Sequence, residues 1–330
     1  RVGMSDMVDE YGRTIDYIRI SVTDRCNLRC RYCMPEDGIS LASHQEILRF
    51  HEIERLAEIF VSVGIRKIKL TGGEPLVRLQ IEELVKDLKK IEGIEQVTLT
   101  TNGTLLKEKA ALLAEAGIDG VNLSLNSLKP QEYARITRRD EFSRAWEGFQ
   151  EMLRYPRILL KINCVSIGQS PESLCRMAAL ARDYPVHVRF IEMMPIGLGE
   201  SWTGRSEEEL LTIFEREFGP GQPVTERLGN GPSHYMQFKN FQGKIGFISA
   251  VSHKFCDKCN RVRLTSQGYL KTCLQYDRGI DLREPLRAED SDEALRARIQ
   301  RAILDKPQSH AFLEGAPKEK EKKFMAQIGG

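Results

Sequence analysis

The chain has 330 residues, enough for one large domain or two ordinary ones, and its 41% hydrophobic and 29% charged content suits a folded protein with a real core. A formal net charge of +2 leaves no global basic excess for holding nucleic acid, so only a local basic patch for a small polyanion stays open. No stretch approaches the roughly 18 consecutive apolar residues of a membrane helix, and the polar start "RVGMSDMVDEYGR" lacks a signal-peptide core, so no membrane role and a cytoplasmic location with reduced thiols are expected.

In chain order, "YIRISVT" (17–23) reads as a strand, and "CNLRCRYC" (26–33) follows it directly. "HEIERLAEIFVSVG" (51–64) has helical spacing and stops at Gly64; "KIKLT" (67–71) is the next strand, ending in "LTGGEP" (70–75). "IEELVKDLKKIEG" (81–93) is helical, "QVTLTT" (96–101) a strand and "LKEKAALLAEAG" (106–117) a helix. The alternation continues through strand "GVNLSL" (120–125), helices "PQEYARIT" and "SRAWEGFQEMLR", strand "ILLKINCV" (158–165), helix "PESLCRMAALARD" (171–183) and strand "VHVRFIEM" (186–193). Six such units predict an α/β fold, a partial (β/α)6 TIM-type barrel, with a flat doubly wound sheet as the rival.

After about residue 200 the texture changes. One helix, "SEEELLTIFEREFG" (206–219), is followed by Gly- and Pro-rich turns, and "HYMQF", "KIGFIS", "RVRLT" and "GYLKT" read as antiparallel strands. A charged helix, "SDEALRARIQRAIL" (291–304), precedes the tail "PKEKEKKFMAQIGG". The expected division is a core at 1–215 and a C-terminal α+β region at 216–330.

Six of the eight cysteines form two triplets: Cys26, Cys30 and Cys33, then Cys256, Cys259 and Cys273. Triplets in a reducing compartment point to metal rather than disulfides. Thiolates suit iron–sulfur clusters and zinc, but C-x3-C-x2-C is not a usual zinc spacing. For the second triplet a zinc knuckle completed by His253 is the alternative. Cys164 and Cys175 read as small buried hydrophobes. Arg19, Lys67, Lys69 and Lys161 fall on predicted strands among core residues; buried cations need partners, and several on one barrel need an anion such as a triphosphate.

"CNLRCRYC" together with "TGGEP" resembles the radical S-adenosylmethionine superfamily. The second triplet, with "RISVTDRCNLRCRYCMP", "TTNG", "SLNS", "RFIEMMPIG", "CNRVRLT" and the final Gly-Gly, narrows this to a whole-chain resemblance to the molybdenum-cofactor biosynthesis protein A family, the GTP 3',8-cyclases. The resemblance implies two 4Fe–4S clusters, on Cys26, Cys30 and Cys33 and on Cys256, Cys259 and Cys273, each with one open iron. S-adenosylmethionine takes the first opening and the guanine ring the second. It places Tyr32, Gly72, Gly73, Glu74, Ser124 and Met194 at S-adenosylmethionine, and Arg19, Lys67, Lys69, Thr100, Lys161, Arg261 and Arg263 at substrate, with Arg19, Arg261 and Arg263 also catalytic. Lys69 stands where the family often has Arg, keeping the charge without the bidentate fork. The Gly329–Gly330 end is expected to enter the active site.

The implied reaction begins when S-adenosylmethionine is cleaved to a 5'-deoxyadenosyl radical. That radical takes hydrogen from the ribose C3' of GTP, and C3' then closes on guanine C8. The implied partners are GTP, a one-electron reductant of flavodoxin or ferredoxin type and a downstream cyclic pyranopterin synthase, and a homodimer is admitted. Two other readings remain: a radical S-adenosylmethionine maturase acting on a peptide, and a zinc-stabilised nucleic-acid-binding protein. The short C-terminal region and basic strands oppose the first, and the near-neutral charge opposes the second.

Overall fold

The computed structural model describes residues 6–226, 228–312 and 320–329. Twelve strands form one sheet: β1 (Tyr17–Ser21), β2 (Lys67–Thr71), β3 (Gln96–Thr101), β4 (Gly120–Ser124), β5 (Leu159–Val165), β6 (His187–Ile191), β7 (Gln222–Val224), β8 (His234–Gln237), β9 (Ile245–Ile248), β10 (Arg261–Leu264), β11 (Tyr269–Lys271) and β12 (Gly279–Asp281). Their spatial order is β12-β11-β10-β1-β2-β3-β4-β5-β6-β9-β8-β7. Helices α1 (Phe50–Ser62), α2 (Ile81–Lys90), α3 (Leu106–Glu115), α4 (Pro130–Thr137), α5 (Phe142–Met152) and α6 (Pro171–Asp183) connect β1 through β6; α7 (Glu207–Phe218), α8 (Arg283–Arg287), α9 (Asp292–Leu304) and α10 (Met325–Ile328) follow.

Local chemistry explains the element ends. α7 starts at Ser206, whose hydroxyl accepts the Glu209 N–H at 3.2 Å while the Glu209 carboxylate accepts the Ser206 N–H at 2.7 Å. It stops at Gly219, which turns the chain at φ 84°.

The strands from the last third depart from expectation. β9 pairs in parallel with β6, and β10 in parallel with β1; only their other edges carry antiparallel partners, β8 and β11. Alternation along "KIGFIS" and "RVRLT" marks strands but carries no information about which neighbour each one meets. The result is eight consecutive parallel strands, two more than the six βα units alone supply.

Alternation divides the sheet's two faces. Ile18 and Ile20, Ile68 and Leu70, Val97 and Leu99, Val121 and Leu123, Ile162 and Cys164, Val188 and Phe190, and Val262 and Leu264 point one way, into the apolar core under the helices. The residues between them line one cavity, so the sheet curls round it. Among the described residues, no helix is long and apolar enough to cross a membrane.

Candidate active site

The inward faces of the parallel strands enclose a cavity of about 310 Å³. Arg19, Tyr32, Lys69, Gly72, Gly73, Glu74, Thr100, Ser124, Lys161, Met194, Arg261 and Arg263 all line it, as do Cys26, Cys30 and Cys33. Lys67 does not: it sits at the start of β2, and its ammonium pairs with Asp16 at 2.6 Å. Cys256, Cys259 and Cys273 also lie outside the lining.

The first triplet occupies the carboxyl end of β1, where barrel active sites form. Backbone bonds from Cys33 N and Met34 N to the Cys30 carbonyl, at 2.9 and 3.1 Å, fold the loop into a tight turn. The "TGGEP" turn clamps the loop's entrance: Gly73 N and Glu74 N donate to the carbonyls of Thr23 and Arg25, both at 2.8 Å. A Cβ on Gly73 would meet the Arg25 carbonyl at 2.4 Å, and one on Gly72 the Thr23 carbonyl at 2.5 Å, so neither position admits a side chain. Glu74 is buried, and its carboxylate accepts from Leu76 N, the Thr101 hydroxyl and Asn102 N at 2.6–3.0 Å. Burial lifts its pKa to about 7 against the pull of those donors. The Tyr32 hydroxyl accepts from Asn126 at 2.9 Å.

The three thiols are chemically coupled. Burial and the Glu74 charge push Cys26 to about 11; burial and Cys26 push Cys33 to about 12; burial, Cys33 and Cys26 push Cys30 well above the usual thiol range. Three thiolates here would need positive charge among them, of the kind bound metal would supply. Among the described residues no three His, Cys, Asp or Glu side chains form a group that could hold a metal ion.

The second triplet gathers by topology. β10 and β11 are antiparallel, so Cys256 and Cys259, just before β10, and Cys273, just after β11, meet at one end of that hairpin. Since β10 runs parallel to β1, that end is opposite the one bearing the first triplet. Burial raises Cys259, but Lys306 and Arg261 outweigh it and bring the thiol to about 6. Arg13 fixes the turn, donating to the Cys256 and Gln308 carbonyls, both at 2.8 Å. His253 is turned elsewhere, towards Ser252 at 3.1 Å and Glu207 and Glu208 at 3.8 Å.

Between the triplets the wall is cationic. Arg19, Lys69 and Arg263 occupy one level, since β1 pairs Arg19 with Lys69 and with Arg263. Burial and then Arg189, Arg19, Lys161 and Arg261 hold Lys69 well below the usual ammonium range. Burial and then Arg189 bring Lys161 to about 7. The carboxylates that also line the cavity are committed elsewhere: Asp119 to Lys89, Glu192 to Val251 N and Ser252 N, and Glu74 as described. The buried Thr100 hydroxyl faces the cavity with no hydrogen-bond partner.

Three features of this wall were not singled out from sequence. Arg189, on β6, is 6% exposed and lines the cavity, donating to Asn163 Oδ1 at 2.6 and 2.9 Å. The alternation that flags Arg19 and Lys161 flags it too, in "VHVRFIEM". The loop carrying Gly229, Asn230 and Pro232 forms part of the lining, with Asn230 on Gln96 at 2.7 Å and the Leu228 carbonyl accepting from Lys161. Met325 also lines it. Near it, Gly329 adopts φ 76°, and its carbonyl accepts from Arg263 at 3.2 Å and Thr71 at 3.3 Å. Gly330 lies outside the described residues.

The chain matches the Radical SAM superfamily model over residues 20–181 and the Molybdenum Cofactor Synthesis C model over 186–312. Among solved structures it resembles Streptococcus suis SuiB bound to precursor peptide SuiA, with TM-score 0.63 and 14% identity, covering 97% of this chain and 78% of that one. SuiB bound to S-adenosylmethionine matches with TM-score 0.57 at 14% identity, covering 86% and 68%. At that identity the likeness speaks for the fold alone. Curated relatives carry more. GTP 3',8-cyclases of Pelotomaculum thermopropionicum and Petrotoga mobilis are 46% and 44% identical to this chain, each over 98% of it and 100% of the relative. With that identity running from end to end of both proteins, the chain belongs to the GTP 3',8-cyclase family within the radical SAM superfamily.

Proposed function

We propose that this protein is a GTP 3',8-cyclase acting in molybdenum cofactor biosynthesis. As a radical SAM protein it takes an iron–sulfur cluster and S-adenosylmethionine, which together supply the hydrogen-abstracting 5'-deoxyadenosyl radical when bound. The finer assignments go further. Cys26, Cys30 and Cys33 hold that cluster, with Tyr32, Gly72, Gly73, Ser124 and Met194 around S-adenosylmethionine; Cys256, Cys259 and Cys273 hold a second 4Fe–4S cluster. GTP spans the cavity with guanine towards the second triplet. Arg19, Lys69, Lys161, Arg189 and Arg263 take the phosphates, Arg261 contacts the substrate at the end beside Cys259, and Thr100 offers its hydroxyl. A low-potential flavodoxin- or ferredoxin-type protein gives the electron, and a cyclic pyranopterin synthase consumes the product.

The observation that carries this reading is the opposed placement of the two triplets across a cavity lined by six cations. Such a wall needs an anion of several charges, with the first triplet in the lining at one end and the second triplet beyond the lining at the other. The chain's own work is orientation and exclusion of water: the barrel holds the ribose against the radical source while burial keeps quenchers away.

Anaerobic reconstitution followed by incubation with GTP, S-adenosylmethionine and dithionite tests the proposal. Replacing Cys26, Cys30 and Cys33 by Ala should leave about half the iron and abolish S-adenosylmethionine cleavage. Replacing the Cys256 set should leave cleavage and abolish cyclisation. Cyclisation untouched by the second replacement refutes the role given to that triplet.

A further inference from the structure

Two directly paired cations on neighbouring strands, Arg263 of β10 and Lys271 of β11, grip the C-terminal tail at two points. Arg263 holds the carbonyl of Gly329. Lys271, 1% exposed, ion-pairs with Glu321, 3% exposed. Lys271 also donates to the Tyr276 carbonyl at 2.7 Å. Around Glu321 the backbone is fastened on both sides: its N–H donates to the Gln275 carbonyl at 2.7 Å, and its carboxylate accepts the Lys323 N–H at 2.8 Å. Lys320 forms an isolated bridge with Tyr276 and an ion pair with Glu200. Beyond this anchor, Ala326 and Ile328 are each 1% exposed, and the chain reaches the cavity wall at Gly329.

A buried ion pair is a poor device for stability, because desolvating two charges offsets most of their attraction, and apolar replacements of similar volume often do as well. What it secures is uniqueness. Sliding the tail by one residue would leave Lys271 and Glu321 both buried and unpaired, whereas an apolar anchor would tolerate the slip. We propose that the Lys271–Glu321 pair is a register lock for the tail. It makes both residues positioning residues that set how far Gly329 reaches between Arg263 and Thr71.

The consequence for turnover rests on the cyclase reading; the consequence for the tail does not, so the test reads both. Lys271→Met combined with Glu321→Met removes both charges and leaves neither orphaned. In the cluster-loaded double variant, amide hydrogen exchange over 322–329 should quicken at least tenfold while iron content stays at the parent level. Cyclised product per 5'-deoxyadenosine should fall about tenfold, because the radical still forms over a misplaced wall. Lys271→Arg alone keeps the pair and should leave both readings at the parent level. Glu321→Gln, which keeps the shape, gives the same comparison if the double variant does not load clusters. Unchanged exchange overturns the lock. Faster exchange with an unchanged product ratio overturns the positioning role. Faster exchange in a protein whose parent makes no cyclised product overturns the cyclase reading and leaves the lock standing.

Discussion

The carboxylate of Glu74, at the end of β2, accepts the backbone N–H of Asn102, just past the end of β3, at 2.7 Å. The Asn102 amide in turn donates to Asn27 at 2.8 Å and lies 4.0 Å from the Cys26 sulfur. One buried acid therefore ties two strand ends to the first cysteine loop. Glu74→Gln keeps the volume but sets an NH2 against one of three donors. It should lower stability by about 1–3 kcal/mol, seen in thermal unfolding of the anaerobic holoprotein, and should loosen the first cluster, seen as iron lost on gel filtration. A parent-like midpoint with full iron would show that the tie is dispensable.

If Lys161 holds the phosphates as proposed, substrate binding should be sensitive to pH. Its pKa of about 7 means that the free protein loses this charge as pH rises through neutrality. A polyphosphate favours the charged form and so raises that pKa in the complex. Affinity should be level below about pH 6 and fall above pH 7, approaching tenfold per pH unit. Calorimetry in buffers of differing ionisation enthalpy should register proton uptake on binding near pH 8. Lys161→Arg, always charged, should abolish this component; equal proton uptake in that variant would remove Lys161 from the account.

On the proposed pose the cationic wall should also discriminate between ligands. Lys161→Ala and Arg263→Ala each delete one charge-assisted contact, which should weaken GTP binding by about 1.5–3 kcal/mol, roughly tenfold to a hundredfold. Guanosine has no phosphates and should lose much less. Equilibrium binding of both ligands decides the matter, and equal losses would mean that these residues do not hold the triphosphate.

Much of this was legible in the sequence, for identifiable reasons. The strand "KIKLT" and the helices "PQEYARIT" and "PESLCRMAALARD" fall on their observed boundaries because turn signals and caps are local. Ser170, for example, caps α6 through its hydroxyl at 3.1 Å from Ser173 N. Strand partnership is not local: nothing in "RVRLT" says that it lies beside β1. The short edge strands β7 and β12 have three residues each, too few for a period to register. Arg189 follows the same alternation in "VHVRFIEM" that marks Arg19 and Lys161. The fastening of "TGGEP" to residues 23–25 needs the third dimension, because its partners come from another strand's exit.

Acid should weaken the fold through His187. Its Nδ1 accepts the Lys244 N–H at 3.1 Å, and burial, followed by Lys161, Lys244 and Arg189, pushes its pKa to about 4. A depressed imidazole pKa means that the unfolded chain takes up the proton first. Stability therefore falls as pH drops from about 6.5 towards 4. The ring is partly exposed, so screening limits the loss to about 1–2 kcal/mol. Urea unfolding at pH 7 and pH 4.5 measures it, and His187→Gln should flatten the difference. An unchanged pH dependence in that variant would assign the acid sensitivity to another group.

The flanking of β1 by β10 has a consequence for how the protein is made. Tyr17 finds its partner Arg261 only after nearly the whole chain has been synthesised, and β6 likewise waits for β9. While the ribosome is still translating, the six-stranded arc exposes two bare parallel edges, each a template for pairing with a neighbouring nascent chain. Closing them is a long-range event of the kind that slows folding. A chain arrested before β10 would have β1 uncovered and the second triplet incomplete, so closing that flank of the barrel and completing the second thiol site are one and the same late event.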